Sequence, residues 1–362
     1  MNLSEEQWKV VHAQEPRVAV IGPPGTGKTR VLTERIKYLL DSGVPSEDIV
    51  AITFTNFAAN EMKTRLKDTG QMFIGTMHSY AAQLLMRNGI RVDFDGMAKK
   101  GNFGELIDRV LEEKLDLPQI KYLFVDEVQD LCQNEFQFIW KMKYENIFLG
   151  GDSDQCIYQF KGAKPTLFTN YCKDKNTTTY ILTRNFRSGQ NIIEYAAFFA
   201  CHITGHISVK VVGNTVQKGR IVKSDFDDAL YNLYCNKNYG SWFILTRTNA
   251  ELEEVSKRLE NYKIPYTSFK QGDFTNEEIE QFLKNDEVKL LTIHSAKGLE
   301  NDNVIVVGAR GWSDEEKCIE YVAATRARNT LYWCPSVVPK QVKKKIVTSS
   351  TIEKRMAGLR WE

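Results

Sequence analysis

The sequence lacks the features typical of membrane-spanning, disulfide-bonded and zinc-binding proteins. No apolar run approaches the roughly 20 residues that a membrane-spanning helix needs, and the polar N-terminus contains no signal-peptide core. The seven cysteines form an odd set without any C-x-x-C pair, which is typical of free thiols in a reducing compartment. Cys201, His202 and His206 lie close together, but without a second ligand pair we expect no structural zinc. These absences favour a soluble, cytoplasmic protein.

The sequence also has no excess of charge of one sign and no low-complexity tract. Its 48 Lys and Arg residues nearly balance 46 Asp and Glu residues, giving a formal net charge of +2. This balance neither requires nor excludes nucleic acid, because a basic groove can exist on a near-neutral protein. With 362 residues, of which 42% are hydrophobic, the chain is long enough for two globular domains.

One stretch has the pattern of a phosphate-binding loop. The apolar run 18–21 leads into GPPGTGKT, which has the complete G-x-x-x-x-G-K-[ST] spacing, and apolar residues at helical spacing follow. Glycines let backbone N–H groups surround phosphates, Lys28 supplies a cation, and Thr29 offers a hydroxyl to Mg²⁺. A simple Gly/Pro turn is the alternative, which the flanking strand and helix disfavour. The candidate residues are Gly22, Pro23, Pro24, Gly25, Thr26, Gly27, Lys28 and Thr29.

A second strand ends in a cluster of acidic residues. The apolar run YLFV at 122–125 is followed directly by Asp126 and Glu127. Beside a phosphate loop, Asp126 is suited to hold Mg²⁺ through water, and Glu127 to orient or deprotonate the attacking water. A polar turn is the alternative, but it does not explain why a buried strand ends in this cluster.

Four more side chains have the chemistry of nucleotide contacts. Gln7 could select an adenine edge, although an exposed helix glutamine is an equally good interpretation of its position. Gln155 could reach a γ-phosphate. Phe186 and Arg187 are the residue types of an adenine platform and of a cation that stabilises the transition state.

Other residues could contact a nucleic-acid strand. The strands at 49–55 and 72–75 are followed by small polar residues, including Thr55, Asn56 and Thr76, where the carboxyl ends of parallel strands face a ligand. Helix capping is the favoured alternative for such residues. Tyr158 and Phe160 offer faces on which bases can stack, although isolated aromatic residues more often belong to the core.

The second half of the sequence repeats the alternation of strands and helices without a second phosphate loop. A buried strand at 288–293 leads into HSAKGLE, and a helix at 315–328 carries TRAR. We expect an N-terminal domain over 1–178 with a small insert at 88–120, a C-terminal domain over 179–338, and a basic tail over 339–362. A solvated tail is the simpler interpretation, and phosphate or partner contacts are the alternative.

With these elements in hand, the chain resembles the UvrD/Rep-type superfamily 1 DNA helicases over almost its whole length. The resemblance rests on nine motifs in the family's order: LSEEQ, GPPGTGKTR, ITFTNFAANEM, GTMHS, VDEVQD, GDSDQCIYQFKGA, LTRNFRS, TIHSAKGLE and EYVAATRAR. One phosphate loop would be weak evidence, whereas nine ordered motifs are specific.

The resemblance implies a role for each matching residue. Gln7 and Arg30 would contact adenine, Lys28 and Thr29 would hold phosphate and Mg²⁺, and Asp126 and Glu127 would handle metal and water. Gln155 would sense the γ-phosphate, Phe186 would stack on adenine, Glu300 would meet the ribose, and Arg187 and Arg326 would be paired arginine fingers. The positions that match the single-strand path are Phe54, Asn56, Thr76, His78, Tyr158, Phe160, Thr292 and His294.

The resemblance further implies an α/β fold of two RecA-like parallel-sheet domains, with ATP in the cleft between them. The implied activity is 3′ to 5′ translocation on single-stranded DNA and unwinding at junctions with duplex, driven by domain closure. Only about 48 residues separate His78 from Asp126, and about 100 separate Arg187 from Val288, so the accessory subdomains of the family are reduced or absent. The alternative is a nucleotide-gated regulatory subunit that activates a partner such as a nuclease, or a replication or repair factor.

Overall fold

The computed structural model describes residues 3–100, 102–213, 218–269, 276–308, 311 and 313–335. The predicted basic tail at 339–362 lies outside the described residues. The chain forms two compact units, one of Met1–Lys218 with Gly311–Thr325 and one of Gly219–Arg310 with Arg326–Glu362. The first unit thus continues past residue 178, where the sequence analysis places the domain boundary.

The first unit contains a six-stranded parallel sheet. Its strands are β1 (Arg17–Ile21), β2 (Ile49–Thr53), β3 (Phe73–Thr76), β4 (Gln119–Val125), β5 (Lys143–Gly151) and β6 (Thr178–Ile181). They lie in the order β3-β2-β4-β5-β1-β6, and every neighbouring pair is parallel. All six carboxyl ends therefore face the same edge of the sheet.

Helices cover both faces of this sheet. They are α1 (Glu5–Val11), α2 (Lys28–Asp41), α3 (Asn56–Leu66), α4 (Met77–Arg87), α5 (Phe94–Lys100), α6 (Glu105–Glu112), α7 (Gln133–Lys141) and α8 (Pro165–Lys173). The next helix of this unit is α9 (Gln190–Ala200). Within the predicted insert at 88–120, α5 and α6 precede β4, and α6 packs on α4. A short parallel pair, β7 (Arg184–Asn185) and β8 (Val212–Gly213), flanks α9.

Alternate side chains of β1 belong to different cores. Ala19 and Ile21 lie in the core on one face of the sheet, whereas Val18 and Val20 lie in the core on the other face. Successive strand residues point to opposite faces, and a parallel strand covered on both sides is apolar throughout. The unbroken apolar run before the phosphate loop is therefore the signature of a central strand.

The second unit contains another six-stranded parallel sheet. Its strands are β9 (Arg220–Lys223), β10 (Trp242–Thr246), β11 (Tyr266–Phe269), β12 (Val288–Thr292), β13 (Asn301–Val307) and β14 (Ala327–Cys334), in the order β11-β12-β10-β13-β14-β9. The helices are α10 (Phe226–Asn236), α11 (Asn249–Asn261) and α12 (Asn276–Lys284). One further helix, α13 (Asp314–Ala324), belongs to the first unit and packs against α9.

The two sheets confirm the predicted α/β class. Every pairing in both six-stranded sheets is parallel. In the part of the chain that the structure describes, no helix combines the length and apolar character needed to cross a membrane.

Candidate nucleotide-binding site

The phosphate loop joins the carboxyl end of β1 to the first residue of α2. Gly25 and Gly27 have φ angles of +79° and +89°, which favour glycine because it has no Cβ. Lys28 is buried, and its Nζ donates to the carbonyl oxygen of Gly22 at 2.7 Å. The Thr26 hydroxyl donates to the Pro23 carbonyl at 2.7 Å. The loop is therefore closed on itself, with a cation inside it and the N-terminus of α2 directed at the same place.

Thr29 and Asp126 form the candidate metal-binding pair. The Thr29 hydroxyl donates to Asp126 Oδ2 at 2.6 Å, bringing together the end of β4 and the start of α2. Burial, followed by the nearby Glu127 charge, raises the pKa of Asp126 to about 6. A hydroxyl and a carboxylate are the oxygen donors that Mg²⁺ takes beside phosphate groups. This donor pair fits the expected metal, whose charge would stabilise the buried carboxylate.

Glu127 is held by an amide that was not among the predicted site residues. The Gln129 Nε2 donates to Glu127 Oε2 at 2.5 Å, and the Gln129 Oε1 accepts from the backbone N–H of Asp152 at 3.0 Å. Glu127 itself has φ +56°, a conformation that is strained for a residue with a side chain. Gln129 is fully buried and connects the ends of β4 and β5. Its place two residues after Glu127 in VDEVQD is the sequence signal that could have identified it.

Gln155 lies in the short 3-10 turn Ser153–Gln155 that follows β5. Its Nε2 donates to Asp152 Oδ2 at 2.8 Å, and both residues are buried. Burial, and then the neighbouring Asp154 charge, raise the pKa of Asp152 to about 7. Through Gln129, this turn belongs to the same hydrogen-bonded network as Glu127.

Gln7 contacts the phosphate loop directly. It is 1% exposed, and its Nε2 donates to the Thr26 carbonyl at 3.0 Å. A capping box with Ser4 fixes the start of α1, which orients Gln7. An added Cβ at Gly27 would lie 2.8 Å from Gln7 Nε2. The exposed-glutamine interpretation is therefore wrong, and the adenine contact stays a prediction.

The segment 183–188 also rests on the phosphate loop. Asn185 Nδ2 donates to the Pro24 carbonyl at 2.6 Å, and the Phe186 N–H donates to the Gly25 carbonyl at 2.8 Å. Arg187 Nη1 donates to the Thr325 carbonyl at 3.4 Å. Arg187 accordingly belongs to the first unit, although the sequence boundary assigns it to the second domain. Asn185 was missed as a site residue, although it lies inside LTRNFRS.

The remaining nucleotide candidates have fewer described contacts. Arg30 lies in the first turn of α2. In the second unit, Arg326 is 2% exposed and its Nη1 donates to the Leu299 carbonyl at 3.1 Å. Glu300 accepts from Arg328 at 2.9 Å. A ribose contact by Glu300 would have to coexist with this ion pair, and the predicted roles of the three residues stay predictions.

Three candidate DNA-contact residues, Thr55, Asn56 and Thr76, lie at the ends of β2 and β3, which are neighbours in the sheet. Thr55 caps α3 by accepting from the Ala58 N–H at 3.1 Å, and Thr76 caps α4 by accepting from the Ser79 N–H at 3.2 Å. Capping, the alternative raised from the sequence, is thus present. Asn56 is exposed in the first turn of α3.

The aromatic candidates differ in accessibility. Tyr158 is 3% exposed and stacks on Phe54 with ring centroids 5.0 Å apart, whereas Phe160 is 62% exposed. Lys161 Nζ lies 5.3 Å from the Tyr158 centroid. Of the two rings, only Phe160 is accessible to a base, and the stacking role stays a prediction.

The remaining candidates for contact with single-stranded DNA are His78, Thr292 and His294. His78 is half-buried in the first turn of α4, and burial lowers its pKa. In the second unit, Thr292 accepts from the Ser295 N–H at 3.2 Å, and His294 follows β12. Among the described residues, no group of three or more His, Cys, Asp and Glu side chains could hold a metal ion.

A phosphate loop at the end of a central parallel strand, with an acidic residue at the end of another strand in hydrogen-bond contact, defines a nucleotide-binding protein of the P-loop class. Family models specify the class further. The UvrD/REP helicase N-terminal domain matches residues 3–119 and 115–176, and the UvrD-like helicase C-terminal domain matches residues 271–336. The chain belongs to the UvrD-like helicase family.

Individual relatives agree with this assignment. The "ATP-dependent DNA helicase PcrA" of Staphylococcus epidermidis is 25% identical over 369 residues, covering 74% of this chain and 50% of the relative. A "Probable DNA helicase" of Mycoplasma pneumoniae is 25% identical over 450 residues, covering 91% of this chain and 83% of the relative. The chain spans about half the length of the PcrA relative.

Proposed function

We propose that the protein is an ATP-dependent translocase on single-stranded DNA and a DNA helicase that moves 3′ to 5′. One observation carries the proposal: the side chains suited to phosphate, metal, water and γ-phosphate contacts meet at one edge of the first sheet. Thr29 bonds Asp126, and Glu127 is joined to the turn that carries Gln155 through Gln129. The family's relatives are named DNA helicases, which agrees with this use of ATP.

In this proposal the loop binds the β- and γ-phosphates of ATP. Lys28 exchanges its bond with the Gly22 carbonyl for phosphate oxygens, and the backbone N–H groups of the loop supply further donors. Thr29 and Asp126 would hold Mg²⁺, which when bound neutralises charge on the phosphates. Glu127, oriented by Gln129, positions the attacking water and accepts its proton.

Cationic side chains complete the proposed chemistry. Arg187 follows two residues that hydrogen-bond the phosphate loop, so its backbone is fixed beside the expected γ-phosphate. We assign Arg187 and Arg326 the arginine-finger role, which stabilises the charge that develops during phosphoryl transfer. Phe186, Gln7, Arg30 and Glu300 would contact the nucleoside.

The proposed DNA path uses the half-buried Thr55 and Thr76, the exposed Asn56 and the exposed Phe160 ring. Stacking of a base on an aromatic side chain tolerates any sequence, as a translocating protein requires. Thr292 and His294 would contribute contacts from the second unit. The proposed substrates are single strands and junctions between single and double strands.

The competing function is a nucleotide-gated DNA-binding subunit that activates a protein partner, such as a nuclease or a replication or repair factor. Among the described residues between α4 and β4, the structure has the two short helices α5 and α6, and so small an insert favours dependence on a partner for unwinding. The presence of Glu127, Arg187 and Arg326 favours turnover, because a pure switch needs no hydrolytic residues.

The ATP-site assignment predicts the effects of Lys28→Ala and Glu127→Gln. Each should abolish DNA-stimulated ATP hydrolysis, because the first removes the phosphate cation and the second the base. Steady-state phosphate release with single-stranded DNA measures this, and circular dichroism checks folding. Lys9→Ala is the control, since Lys9 is exposed and bonds Glu5 on its own helix. Normal turnover in either site variant would contradict the assignment.

A tailed-duplex assay tests the function itself. Duplexes with a 3′ or a 5′ single-stranded tail are incubated with the full chain, with and without ATP. We expect strand separation of the 3′-tailed duplex with ATP only. Preference for the 5′ tail would reverse the polarity, and ATP-dependent binding without strand separation or translocation would favour the regulatory subunit.

A further inference from the structure

The turn 201–207, which follows α9, lies outside every family motif, yet it contacts the candidate ATP site. It contains Cys201, His202 and His206, the group considered as zinc ligands. The His202 ring instead bonds the Phe198 carbonyl of its own helix at 2.7 Å, whereas His206 Nδ1 lies 2.6 Å from Asp154 Oδ2. His206 thus contacts the short turn that carries Gln155.

Asp154 needs this partner because it is buried. It is 4% exposed, and its second oxygen, Oδ1, has no hydrogen-bond partner in the described part of the chain. Its charge contributes to the raised pKa of the neighbouring Asp152 carboxyl group. A buried carboxylate that loses its partner is strongly destabilised, so the turn would rearrange to bring Asp154 to water.

The same turn is anchored to α13. Lys317 Nζ donates to the His202 carbonyl at 2.6 Å, and the Thr204 N–H donates to Asp314 Oδ2 at 3.2 Å. These bonds fix the backbone on one side of His206. The position of Asp154 is therefore set from outside the phosphate site, by a segment that α13 holds.

We propose that His206 is a positioning residue for Gln155: by holding Asp154, it fixes the turn Ser153–Gln155 so that the Gln155 amide faces the γ-phosphate. The inference rests on the proposed function, in which Gln155 contacts that phosphate. Gln155 follows Asp154 directly, so a shift of Asp154 moves the Gln155 backbone with it. The printed partner of the His206 ring is Asp154 rather than a residue of the phosphate loop, so we expect its effect on the chemical step and not on ATP binding.

Substitution of His206 separates a positioning role in catalysis from a purely structural role in folding. His206→Phe keeps an aromatic ring but removes the donor, and we expect kcat for ATP hydrolysis to fall about 10- to 100-fold, the effect of a small misplacement at a reacting centre. KM for ATP should change less than about twofold. His206→Asn returns an N–H donor near the Nδ1 position and should recover most of kcat. His202→Ala, on the same turn, is the matched control and should match the wild type.

A double-mutant cycle with Asp154→Asn keeps the proposal testable if His206→Phe folds poorly. The Asp154→Asn variant has no buried charge for His206 to hold. In that background, the factor by which His206→Phe lowers kcat should be at most about a third of the factor in the wild type. Equal effects in both backgrounds, an unchanged kcat, or no recovery by His206→Asn would overturn the positioning role. Absence of ATP hydrolysis by the wild-type chain would instead overturn the proposed function, which separates the two failures.

Discussion

At the scale of single residues, three buried amide side chains hold the parts of the candidate site together. Gln7 bonds the phosphate loop from α1, Asn185 bonds it from the segment after β6, and Gln129 joins Glu127 to Asp152. An amide both donates and accepts without adding charge, so it can connect carboxylates and carbonyls where a buried cation would need further compensation. Lys28 thus remains available for phosphate.

The raised pKa of Asp152 predicts a pH-dependent stability. The pKa of about 7 lies above the unfolded value near 4, so the folded state keeps a proton that the unfolded chain releases. The resulting stabilisation is full below the unfolded pKa and is lost as pH rises through about 7. The Asp152→Asn variant has no carboxyl group to titrate at this position and does not lose this stabilisation. The difference in unfolding free energy, variant minus wild type, should therefore increase by about 1–4 kcal/mol between pH 4 and pH 8.

Urea denaturation at pH 4, 6 and 8, without nucleotide or metal, measures this difference. Asp116→Asn is the control, because the Asp116 side chain is 95% exposed, and its difference from the wild type should stay constant with pH. Parallel pH profiles for Asp152→Asn and the wild type would contradict the predicted shift.

At the scale of elements, α13 connects the candidate DNA contact with the candidate ATP site. Glu315, in its first turn, accepts from the backbone N–H of Phe160 at 3.0 Å. At its other end, the Thr325 carbonyl accepts from Arg187 at 3.4 Å. A helix is rigid along its axis, so it can relate the two contacts within the first unit.

This arrangement predicts different effects for Phe160→Ala and Glu315→Ala. Phe160→Ala should weaken binding of single-stranded DNA by about 1–3 kcal/mol, the value of one stacked base. Glu315→Ala should weaken it by a smaller amount, about 1 kcal/mol, since it loses only the hydrogen bond that orders the loop. Fluorescence anisotropy with a labelled oligonucleotide measures both.

Glu315→Gln is the matched control for Glu315→Ala. It keeps an oxygen acceptor for the Phe160 N–H and should bind close to wild type. An affinity unaffected by Phe160→Ala would mean that the exposed ring does not stack on a base, and equal losses in Glu315→Ala and Glu315→Gln would mean that charge, not the hydrogen bond, matters.

At the scale of the whole molecule, the chain builds two parallel sheets but only one phosphate loop. Both six-stranded sheets have their own buried core, and GPPGTGKT belongs to the first unit alone. A ligand that binds only the folded state stabilises it by an amount that grows with the logarithm of the ligand concentration relative to Kd. The site therefore predicts a nucleotide-dependent stability.

ATP with Mg²⁺ at about 100 times its Kd should raise the unfolding free energy of the unit that binds it by about 2.7 kcal/mol. A non-hydrolysable ATP analogue in a thermal-shift experiment measures the stabilisation. Chelation of Mg²⁺ should reduce the shift, and Lys28→Ala should abolish it. A full shift in Lys28→Ala would place the nucleotide elsewhere.

The sequence by itself determined the α/β class and the family, and it proposed several of the residues that meet at the candidate ATP site, although not Gln129 or Asn185. Periodicity and glycine spacing are local properties, and a buried parallel strand followed by a phosphate loop has a distinctive pattern. Residue types and spacing left Gln7 undecided between an exposed helix residue and an adenine contact, and they raised His206 only as a zinc ligand, which was not expected.

Only the tertiary structure decided which segments meet. Gln129, Asn185 and His206 act through partners 23 to 161 residues away, at distances along the chain that no periodicity encodes. The position of Arg187 in the first unit was decided in the same way, by hydrogen bonds to Pro24 and Gly25 from the residues just before it. The physical reason is that side-chain amides and carboxylates satisfy one another wherever the folded sheet brings strand ends together, and this depends on strand order rather than on sequence order.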